Sequence, residues 1–225
     1  MRHLVSHIRK RRLTTGDPIP SEVRLSADLN VSRSIVREAY RSLASAGILD
    51  IANGRSPRVG RLSNRTLTQV LQHALSTDQA SRDHVFEVRR SIEIRAAELA
   101  AARRTEAHVA ELFEAATAMR DAGDRRAYFI RADMRFHEII GRATGNPLFV
   151  MLGDALRACV QMTIDAGFDS RRTRAELARV AEIHAGIAAA IVDQNVAQAR
   201  QRMKVHFDEA RAYVVGPPPR RQRSR

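Results

Sequence analysis

"LNVSRSIVREAYRSLASAGILDIANGRSPRVG", residues 29–60, decides how the first part of the chain folds. Ser32 is a good N-cap, because its hydroxyl can accept from an amide of the first helical turn. From it a helix runs along "SRSIVREAYRSLASAG", with Ile35, Val36, Ala39, Tyr40 and Leu43 expected to pack inward and Gly47 expected to stop it. "ILDIA" then alternates as a strand, "NGRSP" turns the chain and "RVGRL" reads as the return strand. Upstream, Leu4, Ile8 and Leu13 mark a first helix that ends at the turn signals of "TTGDPIP". Ser21 caps a short second helix through Leu25 and Leu29, and "LNV" makes a tight corner before Ser32. Three helices followed by a two-stranded ribbon are the layout of a winged helix-turn-helix.

The third helix leaves its first turn polar and basic, with Ser32, Arg33, Ser34 and Arg37. Arginine can bond guanine in the major groove, and serine can reach a phosphate or a base edge. Asn53, Gly54 and Arg55 fall at the wing tip, where they can approach the DNA backbone or the minor groove. The plain alternative is a small three-helix domain with a solvated basic face. Charge bears on that choice. The net charge is +13, and residues 1–60 hold eleven Lys/Arg against five Asp/Glu. The last ten residues add four arginines and no acid, while the rest of the chain is close to balance. The excess therefore sits in a head and a tail, which points to a polyanionic partner for the head.

Residues 20–60 resemble the DNA-binding domain of GntR-type bacterial transcription regulators, through "VSR..VREA..SL...GIL" above all. The resemblance implies DNA contacts at Ser32, Arg33 and Arg37, with Asn53 and Gly54 in the wing. Three departures bear on the operator sequence. The family usually has arginine where this chain has Val23, so that contact is lost or passes to neighbouring Arg24. The common Thr-Pro pair is Ser34-Ile35 here, and the wing reads "GRSPRVG".

At 225 residues and 44% apolar, the chain can bury two cores. No apolar run approaches the roughly 18 residues of a membrane span, and "MRHLVSHIRKRRL" lacks a signal-peptide core, so a cytoplasmic protein is expected. Cys159 reads as a small buried hydrophobe. After the joint "GRLSN", apolar stripes at helical spacing cover residues 66–76, 80–102, 105–121, 124–143, 147–166, 172–193 and 196–214. The fold class is mainly α: an N-terminal winged helix-turn-helix (1–61), a linker (62–65), and a C-terminal all-α antiparallel helix bundle (66–214). Residues 215–225, "GPPPRRQRSR" at their end, are expected to be a disordered basic tail.

Within the bundle, "ADMRFHEII" (132–140) puts Asp133 and His137 one helical turn apart, on the stripe of Phe129, Phe136 and Ile140. Polar groups are costly to bury without partners. The last two long helices join near Asn195 and should form a hairpin. His184 lies eleven residues before that point and His206 eleven after it, so both fall roughly 16 Å from the turn. A lone inward histidine is usually a hydrogen-bonded core residue. Three of them and an aspartate on core stripes point instead to a divalent metal, with zinc or nickel suited to imidazole plus carboxylate. His73, His84 and His108 lack such a pattern and read as surface or packing residues.

The same constellation resembles the FCD domain of FadR-like GntR regulators, over nearly all of residues 66–214. The resemblance implies metal ligation by Asp133, His137, His184 and His206, an effector-binding and dimerisation role for the bundle, and a small carboxylate or sugar acid as effector. It also implies that Arg89, in "EVRRSIEIRAAELAA", pairs with the effector's carboxylate. Read from its neighbours Val85, Val88 and Ile92, Arg89 sits at a stripe's edge, where an exposed structural arginine fits as well. Arg135, Asn146 and Arg157 are further conceivable pocket residues. A homodimer on an operator of two half-sites is expected. The competing functions are a metal-dependent enzyme, which lacks any nucleophile motif, and a DNA-binding protein whose metal is purely structural.

Overall fold

The computed structural model describes residues 1–52, 55–165 and 173–214, and its chain contacts separate into two units, Met1–Gln69 and Val70–Arg225. Asn53 and Gly54 of the wing tip and the tail, residues 215–225, all singled out above, lie outside the described residues.

In the first unit, α1 (Arg2–Lys10), α2 (Glu22–Leu29) and α3 (Arg33–Ser45) precede a ribbon of β1 (Leu49–Asp50) and β2 (Arg58–Val59). Ser21 and Ser32 cap α2 and α3 by accepting from the amides of Arg24 and Ile35. Asn30 turns left-handed (φ 50°) and breaks α2 sharply, a conformation asparagine tolerates. Leu4, Ile19, Leu25, Val36, Tyr40, Leu43 and Leu49 form the core. The Tyr40 hydroxyl donates to the Pro20 carbonyl. Burial and the nearby Glu22 carboxylate push that phenol up to about 12. Ile35, expected inside, is 62% exposed: the buried stripe of α3 is 36, 40 and 43, and position 35 falls beside it.

The ribbon is shorter than its sequence suggests, with only Leu49 opposite Val59 and Asp50 opposite Arg58. A second partner explains part of the difference. Residues 16–19, read above as a turn, run along the other side of β2, with Gly16 N–H donating to Val59 O, Val59 N–H to Asp17 O and Ile19 N–H to Pro57 O. Pro18 and Pro57 have no amide to donate, which keeps this ladder short. At the wing's root a Cβ on Gly60 would lie 2.3 Å from the Gly47 carbonyl oxygen, so the two backbones can approach only because position 60 has no side chain.

The division between the units falls within α4 (Arg65–Ser76). Then follow α5 (Arg82–Arg103), α6 (Glu106–Asp121), α7 (Arg126–Ala143), α8 (Pro147–Asp165), α9 (Arg174–Val192) and α10 (Val196–Val214). All seven of these helices begin and end within two residues of the stripes read from sequence. α5 is central and packs on α7, α8, α9 and α10, while α6 packs on α7 and α9. Ala97, Ala100 and Ala101 of α5 are fully buried and permit close helix approach, while Phe86, Phe136, Phe207, Leu112, Ile187 and Met203 fill the core. Each such large side chain contributes about 1.5–3 kcal/mol by leaving water. Cys159 is buried among them. His84 is exposed and His108 partly so, and each also accepts at Nδ1 from the amide of Ser81 or Thr105, closing a capping box at the start of α5 or α6. Among the described residues no helix is long and apolar enough to cross a membrane.

Candidate functional site

α7 supplies Asp133 and His137, α9 supplies His184 and α10 supplies His206. Hairpin closure between α9 and α10 brings the last two rings to 4.7 Å, centroid to centroid, and His137 lies 5.4 Å from His184 and 5.1 Å from His206. One nitrogen from each imidazole lies within 4.8 Å of the other two. Asp133 Oδ1 stands 2.9 Å from His184 Nε2 and 3.7 Å from His137 Nε2. The His137 and His184 side chains are wholly buried, whereas Asp133 keeps 28% of its side-chain surface, so the cluster has one edge toward solvent.

The arrangement of the ring nitrogens suits a cation. His184 Nδ1 is 2.7 Å from the Val180 carbonyl oxygen, which can only accept, so the ring's proton belongs on Nδ1. Nε2 of the same ring then faces Asp133 Oδ1 and, at 3.4 Å, His137 Nε2. Electron-rich atoms at these distances need a positive charge among them, and one proton serves one pair only. Three imidazoles and a carboxylate are a donor set for zinc or nickel, so the residues fit the metal. Burial and the neighbouring histidines His184 and His137 hold His206 well below the usual histidine value. Burial also lowers His137, outweighing the opposite pull of Glu93. For Asp133, burial opposes ionisation, but the His184 hydrogen bond and the pull of the three rings hold its carboxyl well below the usual carboxylate range.

Around the cluster lie charges that are buried and paired. Glu93 of α5 is only 4% exposed and touches His137 Nδ1 through Oε2. Its Oε1 accepts from Arg89 Nε at 2.7 Å and from Arg157 Nη1 at 3.2 Å. Arg89 is thus buried, and its guanidinium also lies over the Phe207 ring, 5.4 Å from the centroid. Only its Nε–H is bonded among the described residues, which leaves both Nη amino groups available. Arg157 completes its pairing on Asp154. Arg135 lies elsewhere, paired at the surface with Glu138 and Glu111, and Asn146 caps the start of α8 by accepting from Leu148 N–H.

In the winged unit, Ser32, Arg33, Ser34 and Arg37 share the exposed start of α3. The Ser32 and Ser34 hydroxyls are 2.9 Å apart. Arg37 is tied to Glu22 of α2 at 3.2 Å, and Arg24 lies 3.9 Å from Asp28 with 77% of its side chain exposed. Arg33 has no side-chain partner among the described residues. Arg55 is exposed after the wing turn, and Val23, where the resemblance leads one to expect arginine, is 54% exposed.

Two family models match: "Bacterial regulatory proteins, gntR family" over residues 1–59, and "FCD domain" over residues 84–209, more than half of the chain. The chain belongs to the gntR family of bacterial regulatory proteins, with an FCD domain. Curated relatives include the HTH-type transcriptional repressor NanR of Cronobacter sakazakii, 34% identical over 66% of this chain, and that of Salmonella newport, 33% identical over 66%. The match spans 58% of the length of each of these relatives. Among solved structures, Streptococcus agalactiae GntR is similar at 28% identity and a TM-score of 0.67, covering 93% of this chain and 96% of that one. E. coli McbR/YncC shares the fold, with a TM-score of 0.52 at 21% identity. The curated relatives are named as transcriptional repressors.

The FCD match takes in Asp133, His137, His184 and His206, and also Glu93 and Arg157. Sequence reasoning passed over Glu93, because a glutamate among arginines in "RRSIEIRAAE" looks like a solvated face. A signal was there. Positions 86, 89, 93, 97 and 100 form one stripe at helical spacing, and all five are buried. An Arg–Glu pair four residues apart on a core stripe marks a buried ion pair.

Proposed function

We propose that this gntR-family chain is a ligand-responsive, DNA-binding transcription regulator whose FCD bundle holds a divalent cation on Asp133, His137, His184 and His206. The winged unit binds a double-stranded operator as part of a cytoplasmic homodimer, one half-site per head, through Ser32, Arg33, Ser34 and Arg37, with Arg24 and Arg55 beside them. The observation that carries the sensor reading is the convergence of three buried imidazoles and one partly exposed carboxylate from α7, α9 and α10. When bound, the ion supplies a Lewis-acidic centre that attracts an oxyanion. Arg89 lies beside it with both Nη amino groups to spare, the fork that matches a carboxylate. A small carboxylate or sugar acid is the effector class that suits both. Such a ligand acts on DNA only through its differential affinity for two arrangements of the heads. Release of the operator is the expected sign, since the relatives named above are repressors.

The test is a thermal-shift screen of small carboxylates and sugar acids on the zinc-loaded and chelator-treated protein. Stabilisation by an acid that disappears with chelator is the expected result, and the same acid should then displace an operator selected from random duplexes. A chelator that lowers the melting temperature while no acid shifts it would leave the metal purely structural.

A further inference from the structure

We propose that Glu93 is the positioning residue of the cation site: its buried carboxylate accepts from the Nδ1–H of His137 and thereby turns the bare Nε2 toward Asp133 and His184. The inference rests on the cation reading above and adds a residue from a helix that supplies none of the four donors.

A neutral imidazole carries one N–H, and the partner of each nitrogen decides where it sits. An ionised Glu93 can only accept; its Oε1 is taken by Arg89 Nε at 2.7 Å and Arg157 Nη1 at 3.2 Å, and its Oε2 is the atom in contact with His137 Nδ1, a buried nitrogen with no other partner among the described residues. The two arginines keep the carboxylate charged in a place where an unpaired anion would be expensive. They also fix where it points. Arg157 is itself anchored by Asp154, and Gly153 leaves room for it, since a Cβ there would come within 3.1 Å of the guanidinium. Packing alone would be met by an uncharged side chain of the same shape. What the carboxylate adds is a fixed ring proton and a more basic Nε2. His184 obtains the same orientation from a backbone carbonyl at 2.7 Å. Two of the three rings are therefore committed to presenting Nε2 before any ion arrives.

Glu93→Gln separates this role from a structural one. With its oxygen still held by Arg89 and Arg157, the amide nitrogen faces His137 Nδ1 as a donor. The ring proton then has to move to Nε2, the nitrogen needed for the ion. In the full-length, metal-free protein above neutral pH, nitrogen NMR should find wild-type His137 protonated on Nδ1 and the Gln variant on Nε2. Zinc affinity, from competition with a chromophoric chelator, should fall about tenfold to a hundredfold. Glu93→Asp keeps a carboxylate and should recover part of the loss. A Gln variant that binds zinc within about twofold of wild type overturns the proposal, on the scale that positioning partners set. So does a wild-type His137 carrying its proton on Nε2, a result that holds even if Glu93→Gln does not fold. Wild-type protein that takes up neither zinc nor nickel overturns the cation reading and this role of Glu93 together, and the starting stoichiometry tells that case apart.

Discussion

In the helical bundle the chemistry-bearing side chains are buried and bonded to one another, whereas in the winged unit they stand exposed, held mostly by their own helix or not at all. His137 touches an acidic side chain with each nitrogen, Glu93 and Asp133, and has no side-chain surface left, while Arg33 has solvent around it. The contrast follows from what each region is built to meet. The ion proposed for the bundle would need its protein donors fixed in advance, so their neighbours have to be supplied by the fold itself. A DNA groove brings its own charge and its own hydrogen-bonding edges, so the protein side stays unsatisfied until the partner arrives.

The largest way to break this comparison is to remove the donors. His137→Ala combined with His206→Ala should abolish bound metal in elemental analysis while leaving operator binding by the winged unit intact. Metal content equal to wild type would remove the four-residue assignment. Next in size, Arg33→Ala should weaken operator binding by about 1–3 kcal/mol, or roughly five- to 150-fold, at a fixed salt concentration. The same variant should leave zinc affinity unchanged. A proportional loss of both would mean that the two regions are not independent.

Acid gives a smaller, graded effect. His137 and His206 are held below the ordinary histidine value by burial, so they stay neutral in the native state. In the unfolded chain they titrate near 6.5. As pH falls through that value the unfolded state takes up protons that the native state refuses, so stability is lost on the acid side and is unaffected above it. Thermal unfolding of metal-stripped protein from neutral to mildly acidic pH should show this fall, and a flat profile would contradict the buried neutral rings. The smallest effects belong to the head. Tyr40→Phe removes the hydrogen bond to Pro20 and should cost about 1 kcal/mol, whereas Ile35→Ser at the exposed start of α3 should stay within about 0.5 kcal/mol. Denaturant titration orders the pair.

How much could be read in advance follows the same divide. The seven bundle helices were legible because burial imposes a period on the sequence, and a histidine that breaks an apolar stripe is conspicuous for its cost. Glu93 escaped because its stripe of 86, 89, 93, 97 and 100 is partly polar, so the local pair with Arg89 looked like a solvated face, and the pairing with Arg157 lies 64 residues away. In the head, Ile35 was placed inside by its chemistry alone, although the stripe of Val36, Tyr40 and Leu43 leaves no room for it. The pairing of residues 16–19 with β2 was hidden for another reason. It is made by backbone groups around two prolines, and carries no side-chain pattern to find.

The placement of the three rings also bears on the chain before it folds. His137 and His184 are 47 residues apart, and His206 lies beyond a further hairpin. An ion gripping all three closes two loops at once, so it acts as a removable cross-link that strips configurations from the unfolded ensemble. If the bundle holds the proposed ion, the fraction of folded protein in a cell would then track how much free ion is on hand, before any effector is met.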